Sequence, residues 1–259
     1  MDKAPDGQAP SIEINLPGRK VLVTGGARGL GLAFAQSLVA AGARVVISDI
    51  LDDLGLKAAA DLGPNAHYIG INMADQASIN SGVSQAAQWL GGIDGLINNA
   101  AVTNSGGKDM QDITNDTWDQ VMAVNVRGVW QCSVAATPYL AASGSGRIVN
   151  LASDTALWGA PRLMAYVASK GAIIAMTKSM ARELAAQHIT VNAIAPGLTL
   201  VEATQYVPQA RHEHYANGRA IERAQLPSDV TGAALFLLSH TSGFITGQIL
   251  PVNGGFYMN

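Results

Sequence analysis

The chain has 259 residues, 48% of them hydrophobic and 14% charged, with a formal net charge of −3. That composition excludes wholesale disorder and supplies enough apolar material for a large core. It gives no electrostatic reason to expect nucleic acid or an anionic membrane surface as a partner, and no apolar run reaches the ~18 residues a membrane helix needs.

The opening stretch "MDKAPDGQAPS" lacks the apolar centre of a secretory signal and reads as a flexible tail over 1–15. A strand is expected at 20–26 ("KVLVTGG"), then a helix at 29–43 that stops at Gly42. A strand at 44–50, a helix at 52–62, a strand at 67–73 and a helix at 76–90 follow. Further strands are expected at 95–101, 146–153, 189–196 and 248–254, with helices at 114–140, 165–187 and 227–238 between them. Short apolar runs alternating with helices predict an α/β fold. It is a single doubly wound domain of the Rossmann type, with about seven parallel strands covered on both faces. The stretch 198–226 breaks the rhythm and reads as an insertion over the sheet edge. Cys132, the single cysteine, rules out an intrachain disulfide; it fits a buried packing thiol and a cytoplasmic setting.

Gly25, Gly29 and Gly31 in "TGGARGLG" (24–31) fall between the first strand and the first helix. Glycines there permit a tight turn and let a pyrophosphate approach a helix N-terminus, where free N–H groups and a partial positive charge await it. A turn that merely needs positive φ is the competing reading. Asp49 ends the second strand, at the offset of an acid that accepts hydrogen bonds from an adenosine ribose. Such a carboxylate repels a 2′-phosphate and argues for NAD over NADP, whereas Arg28 in the glycine loop pulls the other way. An ordinary solvated strand-end acid is the alternative for Asp49.

"AYVASKGA" sets Tyr166 four residues before Lys170, on one helix face. Bringing a phenol from a pKa of about 10 to near 7 takes ~4 kcal/mol. A cation ~4 Å away supplies that only where water is excluded. The small residues around the pair leave room for a ligand or a second helix. Taken alone, such a pair is on most helices one half-buried aromatic and one solvated lysine. Ser153 stands thirteen residues before Tyr166, at a strand end that faces the ligand crevice of such sheets; a turn serine is its competing reading.

With these motifs in order, the sequence resembles the short-chain dehydrogenase/reductase family, in its NAD(P)-dependent single-domain branch. The resemblance rests on "TGGARGLG", Asp49, "NNAA" (98–101), "VNVRG" (124–128), Ser153, "YVASK" (166–170), "PG" (196–197) and "GGF" near the end. It implies a dinucleotide-binding catalytic domain over 16–259 with a substrate lid around 198–226. It implies Tyr166 as acid/base, Ser153 orienting the substrate oxygen, Lys170 lowering the tyrosine pKa and binding ribose, and Asn125 holding a water that links Lys170 to solvent. Asn125 reads equally as an amide satisfying a kinked backbone.

The resemblance further implies cofactor contacts from Leu30, Asn72, Met73, Asn98, Ala100, Pro196, Gly197, Leu198 and Thr199. Three departures stand out: Ala101 where the family usually has glycine, Asn72 where it has an acid, and Asn253 where aspartate is common. A homodimer or homotetramer is implied too, paired through the helices at 114–140 and 165–187.

Substrate contacts are expected from 102–110, 154–164 and 198–226, with Trp158 and Tyr206 prominent. This apolar and aromatic surface favours an apolar, cyclic or aromatic secondary alcohol or ketone, and reads equally as residues that simply pack the lid onto the domain. His212 and His214 lack a third ligand cluster, so no metal is expected. A 3-oxoacyl thioester reductase-type activity is the alternative enzyme reading. A nucleotide-sugar epimerase would need a larger C-terminal region, and a non-catalytic NAD-sensing module would not need Ser153, Tyr166 and Lys170 together.

Overall fold

Runs rich in Val and Ile, with no charge inside them, form central strands that bury both faces, while the two edge strands stay partly exposed. The computed structural model describes residues 14–258. The tail expected over 1–15 therefore lies outside the described residues, save for Ile14 and Asn15. The strands are β1 Lys20–Thr24, β2 Arg44–Asp49, β3 Ala66–Gly70, β4 Gly95–Asn98, β5 Arg147–Leu151, β6 Thr190–Pro196 and β7 Ile249–Val252. They form one seven-stranded sheet in the order β3-β2-β1-β4-β5-β6-β7. Every pairing is parallel. All seven strands fall where the sequence places them.

Register divides the strand side chains between two cores. Val46, Leu22, Leu96, Ile148 and Val191 form one row across β2, β1, β4, β5 and β6. That row packs on α3 (Gln76–Leu90), α5 (Val129–Ala142) and α7 (Met164–Leu184), through Ile79, Val83, Leu140 and Ala181 among others. Cys132 lies buried in this cluster, and desolvation pushes its thiol up to about 12. Ile47, Val23, Ile97 and Val149 form the opposite row. It packs on α1 (Gly29–Ala40), α2 (Asp52–Leu62) and α9 (Pro227–Leu238), through Phe34, Leu38, Ala58 and Leu237. Each fully buried Leu, Ile or Phe in these rows contributes about 2 kcal/mol. The result is a three-layer α/β sandwich.

Two segments differ from expectation. The helix predicted at 114–140 is α4 (Asn115–Met122), a π-helical turn (Ala123–Gly128) and α5. At that turn the backbone crowds its neighbours: a Cβ on Gly128 would stand 2.3 Å from the Met73 carbonyl. The irregular 198–226 stretch contains α8 (Gln209–Gly218), whose single buried residue is Tyr215. A helix without an apolar stripe gives no periodic signal, so pattern reading misses it. Between β5 and α7 lies the short helix α6 (Thr155–Trp158). No helix among the described residues is long and apolar enough to cross a membrane.

Candidate active site

The chain leaves β1 for α1 on one face and β4 for α4 on the other, so a crevice opens between their C-terminal ends. A cleft of about 710 Å³ occupies it. Gly25, Arg28, Gly29, Leu30 and Gly31 line one end. Gly25 has a φ of +66°, and a Cβ there would lie 2.7 Å from the Ala100 Cα. A Cβ on Gly31 would lie 2.0 Å from the Gly25 carbonyl oxygen. Both positions therefore require glycine. Arg28 is the N-cap of α1, and no side chain among the described residues caps that helix. Its first N–H groups are left for a ligand, which is what a pyrophosphate needs. The residues present thus fit a dinucleotide.

Asp49 ends β2 at the same end of the cleft. Its carboxylate accepts from the N–H groups of Ala27 (3.2 Å), Ile50 (2.8 Å) and Leu51 (3.3 Å). Tyr68 braces the turn, its hydroxyl within hydrogen-bond distance of the Asp49 carbonyl and the Asp52 carboxylate, which share its one proton. Asn72 and Met73 also line the cleft; the Asn72 side-chain oxygen accepts from the Ala74 N–H at 3.0 Å. Arg28 is exposed on the rim.

Asn98 does not line the cleft. Its amide turns into the core and donates to Ser133 Oγ (3.0 Å) and Asn150 Oδ1 (2.9 Å). Adjacent residues at a strand end face opposite sides, so Asn99 takes the cleft-lining place, and Ala100 and Ala101, past the end of the strand, line it too. The Asn99 amide donates to the Thr24 and Gly25 carbonyls, and Thr24 Oγ1 accepts from the Asn99 and Ala100 N–H groups. The repeated asparagine was the available signal; alternation decides which one faces the ligand.

Asn125 sits in the π-helical turn, fully buried and behind the cleft wall. Its Oδ1 accepts from the Val102 N–H at 2.7 Å, and its Nδ2 donates to the Val102 carbonyl and Ser169 Oγ, each at 3.1 Å. The amide thereby completes the backbone of the loop after β4 and ties it to α7.

Ser153, Tyr166 and Lys170 converge on the cleft. Ser153 Oγ accepts from the Thr155 hydroxyl (2.9 Å) and the Thr155 N–H (3.3 Å). Both accepted bonds leave its own proton to be donated outward. Tyr166 is half-buried, and burial pushes its phenol up; the Ser153 hydroxyl pulls it down, while Tyr206 and Asp154 add to the rise. Lys170 is buried and donates to the Leu151 carbonyl at 2.6 Å, and desolvation lowers it to about 8. For both groups burial sets the direction. The sequence anticipates a lysine that pulls the tyrosine down, but in the structure Ser153 is the neighbour that does so.

Pro196, Gly197, Leu198 and Thr199 line the far wall. Tyr206 closes over the cleft, its hydroxyl donating to the Thr103 carbonyl. Trp158 does not line the cleft. The short α6 carries it behind the wall, where its ring meets Tyr215, His214 and Phe256. Val102, Val124, Leu163 and Val207 supply the apolar lining instead. Asp154 and Tyr215 also line the cleft, and sequence reading gave neither a role.

Residues 25–257 match the family model described as enoyl-(acyl carrier protein) reductase, adh_short_C2. A 3-oxoacyl-[acyl-carrier-protein] reductase of Thermotoga maritima is 34% identical over 246 residues, 93% of this chain and 99% of the relative. A 3-alpha-(or 20-beta)-hydroxysteroid dehydrogenase of Mycobacterium tuberculosis is 35% identical over 240 residues, 93% of this chain and 90% of the relative. A crystal structure from Sinorhizobium meliloti 1021, described as a short-chain alcohol dehydrogenase, superposes with a TM-score of 0.88 at 33% identity, covering 94% of this chain and 98% of that one. The order of the strands, the glycine turn and these matches make the chain an oxidoreductase of the short-chain dehydrogenase/reductase family, whose members use NAD(P).

Proposed function

We propose that the protein interconverts a secondary alcohol and a ketone with NAD, and that Tyr166 is the acid/base. The observation that carries this reading is the convergence of Ser153, Tyr166 and Lys170 on a cleft whose other end is an uncapped glycine loop. When bound, the nicotinamide supplies the centre that accepts or returns a hydride. Tyr166 takes the hydroxyl proton during oxidation and gives it back during reduction. Ser153, its lone pairs engaged by Thr155, donates to the substrate oxygen. Lys170 lines the cleft with its Nζ 5.5 Å from the Tyr166 ring centroid, where it would hold the nicotinamide ribose, while Ser153 is the neighbour that lowers the phenol. Asn125, bonded to Ser169 beside Lys170, anchors a proton relay from that ammonium.

Asp49 supports NAD over NADP, because its carboxylate is fixed by three backbone N–H groups where a 2′-phosphate would come. Val102, Val124, Leu163 and Val207 support an apolar, cyclic or aromatic substrate held under a lid around 198–226. A second reading, reduction of a 3-oxoacyl thioester, is favoured by the name of the Thermotoga relative. Trp118, Trp130 and Val134, exposed on α4 and α5, support a homodimer or homotetramer.

The test follows NADH absorbance against a panel of secondary alcohols, ketones and 3-oxoacyl thioesters, with NADP(H) in parallel. Turnover of apolar alcohols with NAD supports the proposal. Activity confined to thioesters selects the second reading, and no turnover despite NADH binding overturns both.

A further inference from the structure

Asp154 follows Ser153 directly, and its side chain is wholly buried. Its Oδ1 accepts from the Tyr215 hydroxyl at 2.7 Å. Its Oδ2 finds no hydrogen-bond partner among the described residues. The Asn253 amide stands near and lowers the carboxyl, one of its two N–H groups donating to the Tyr257 carbonyl. A buried carboxylate with an unused oxygen is costly, so a position that carries one needs a reason.

The surroundings supply it. Tyr215 is the one buried residue of α8, the helix of the lid. Its hydroxyl also accepts from Trp158 Nε1 at 3.3 Å, and its ring stacks on Phe256 at 4.3 Å between centroids. The Asp154 backbone is equally committed. Its N–H donates to the Pro196 carbonyl at 3.0 Å, and its carbonyl accepts from Leu157 and Trp158. A single residue therefore joins the Ser153 turn, the wall after β6 and the lid helix.

We propose that Asp154 is a positioning residue: through Tyr215 its carboxylate fixes lid helix α8 against the turn that carries Ser153, holding both in the closed, substrate-binding arrangement. The inference rests on the dehydrogenase reading for its consequence in turnover. The link between Asp154 and the lid stands apart from it. Burial raises this carboxyl to about 6, with Tyr215, Asn253 and Arg219 pulling it back. Tyr166 also feels its charge, and Gln225 Oε1 lies with the free Asp154 oxygen around Gly197.

Three variants of the full chain test the proposal: Asp154→Ala, Asp154→Asn and Tyr215→Phe. Tyr215→Phe keeps the ring that fills the core and removes only the hydroxyl. Hydrogen exchange is read at the amides of 209–218, and kinetics with the best alcohol of the panel. In Asp154→Ala and Tyr215→Phe, exchange in α8 is expected to quicken about tenfold or more, the range set by losing a hydrogen bond to a charged acceptor. kcat/KM falls by a similar factor, mainly through KM, while the NADH dissociation constant stays within about twofold and the β1–β4 amides exchange as before. Asp154→Asn, which still accepts from Tyr215, restores most of both. Unchanged α8 exchange in Asp154→Ala and Tyr215→Phe overturns the proposal. So does an Asp154→Asn as impaired as Asp154→Ala, because the charge and not the bond would then matter. Failure of the dehydrogenase reading shows separately, as absence of turnover in the unaltered protein, and the exchange measurement then decides the link alone.

Discussion

Lys170 and Tyr166 lie one turn apart on α7, with the Lys170 Nζ 5.5 Å from the Tyr166 ring centroid. That Nζ donates to the Leu151 carbonyl at 2.6 Å, at the end of β5. The ammonium is thus anchored to the sheet, and the phenol projects from the same helix face into the cleft.

Tyr166→Phe removes the oxygen proposed to carry the proton and nothing that packs. kcat is expected to fall by about 10²–10⁴, while the NADH dissociation constant changes less than about twofold. Steady-state kinetics and fluorescence titration check the two halves. A variant with unaltered kcat would remove Tyr166 from the acid/base role.

Lys170→Met separates stability from activity. The native lysine is lowered to about 8 from an ordinary 10.5. Between those values the unfolded chain binds more protons than the native one, so stability rises as pH climbs from about 8 towards 10.5 and is lowest below 8. The methionine variant loses that slope. At pH 7 it is expected to be more stable by on the order of 1–2 kcal/mol, a figure reduced by the orphaned Leu151 carbonyl. Its kcat drops at least tenfold. Denaturant titrations at pH 7 and pH 10 read the slope directly.

Gly31→Ala drives a Cβ to 2.0 Å from the Gly25 carbonyl oxygen, which is backbone and cannot swing aside. The expected result is a loss of about 1–3 kcal/mol in stability and at least tenfold weaker NADH binding. Gly232→Ala in α9, where a Cβ meets nothing within 4 Å among the described residues, is the control. It is expected to stabilise by about 0.5–1 kcal/mol. Thermal unfolding with and without NADH distinguishes the two.

Asp49→Ala removes the carboxylate from the end of the cleft where the ribose is proposed to sit. The ratio of kcat/KM with NADP to that with NAD is expected to rise at least about tenfold, since a like-charge clash disappears. Arg28→Ala should leave the NAD value within about threefold, because the guanidinium is exposed on the rim. An unchanged ratio in Asp49→Ala would show that the carboxylate does not select the cofactor.

The amino-acid sequence by itself determined the strands, their parallel pairing and the principal helices. Those features follow from local apolar runs, and each run carries its own signal at Lys20–Thr24, Arg44–Asp49 and the strands beyond. It also determined the glycine turn, Asp49 and the Ser153, Tyr166 and Lys170 set, because spacing along one turn or one strand end already limits where those groups point. Tertiary structure alone decided that Asn99 and not Asn98 meets the cleft, that Trp158 stands behind the wall, and that Asp154 grips Tyr215 across 61 positions of chain. It also decided the direction of the Tyr166 and Lys170 pKa shifts. Burial and long-range hydrogen bonding govern all of these, and neither has a period or a spacing that a linear reading can detect.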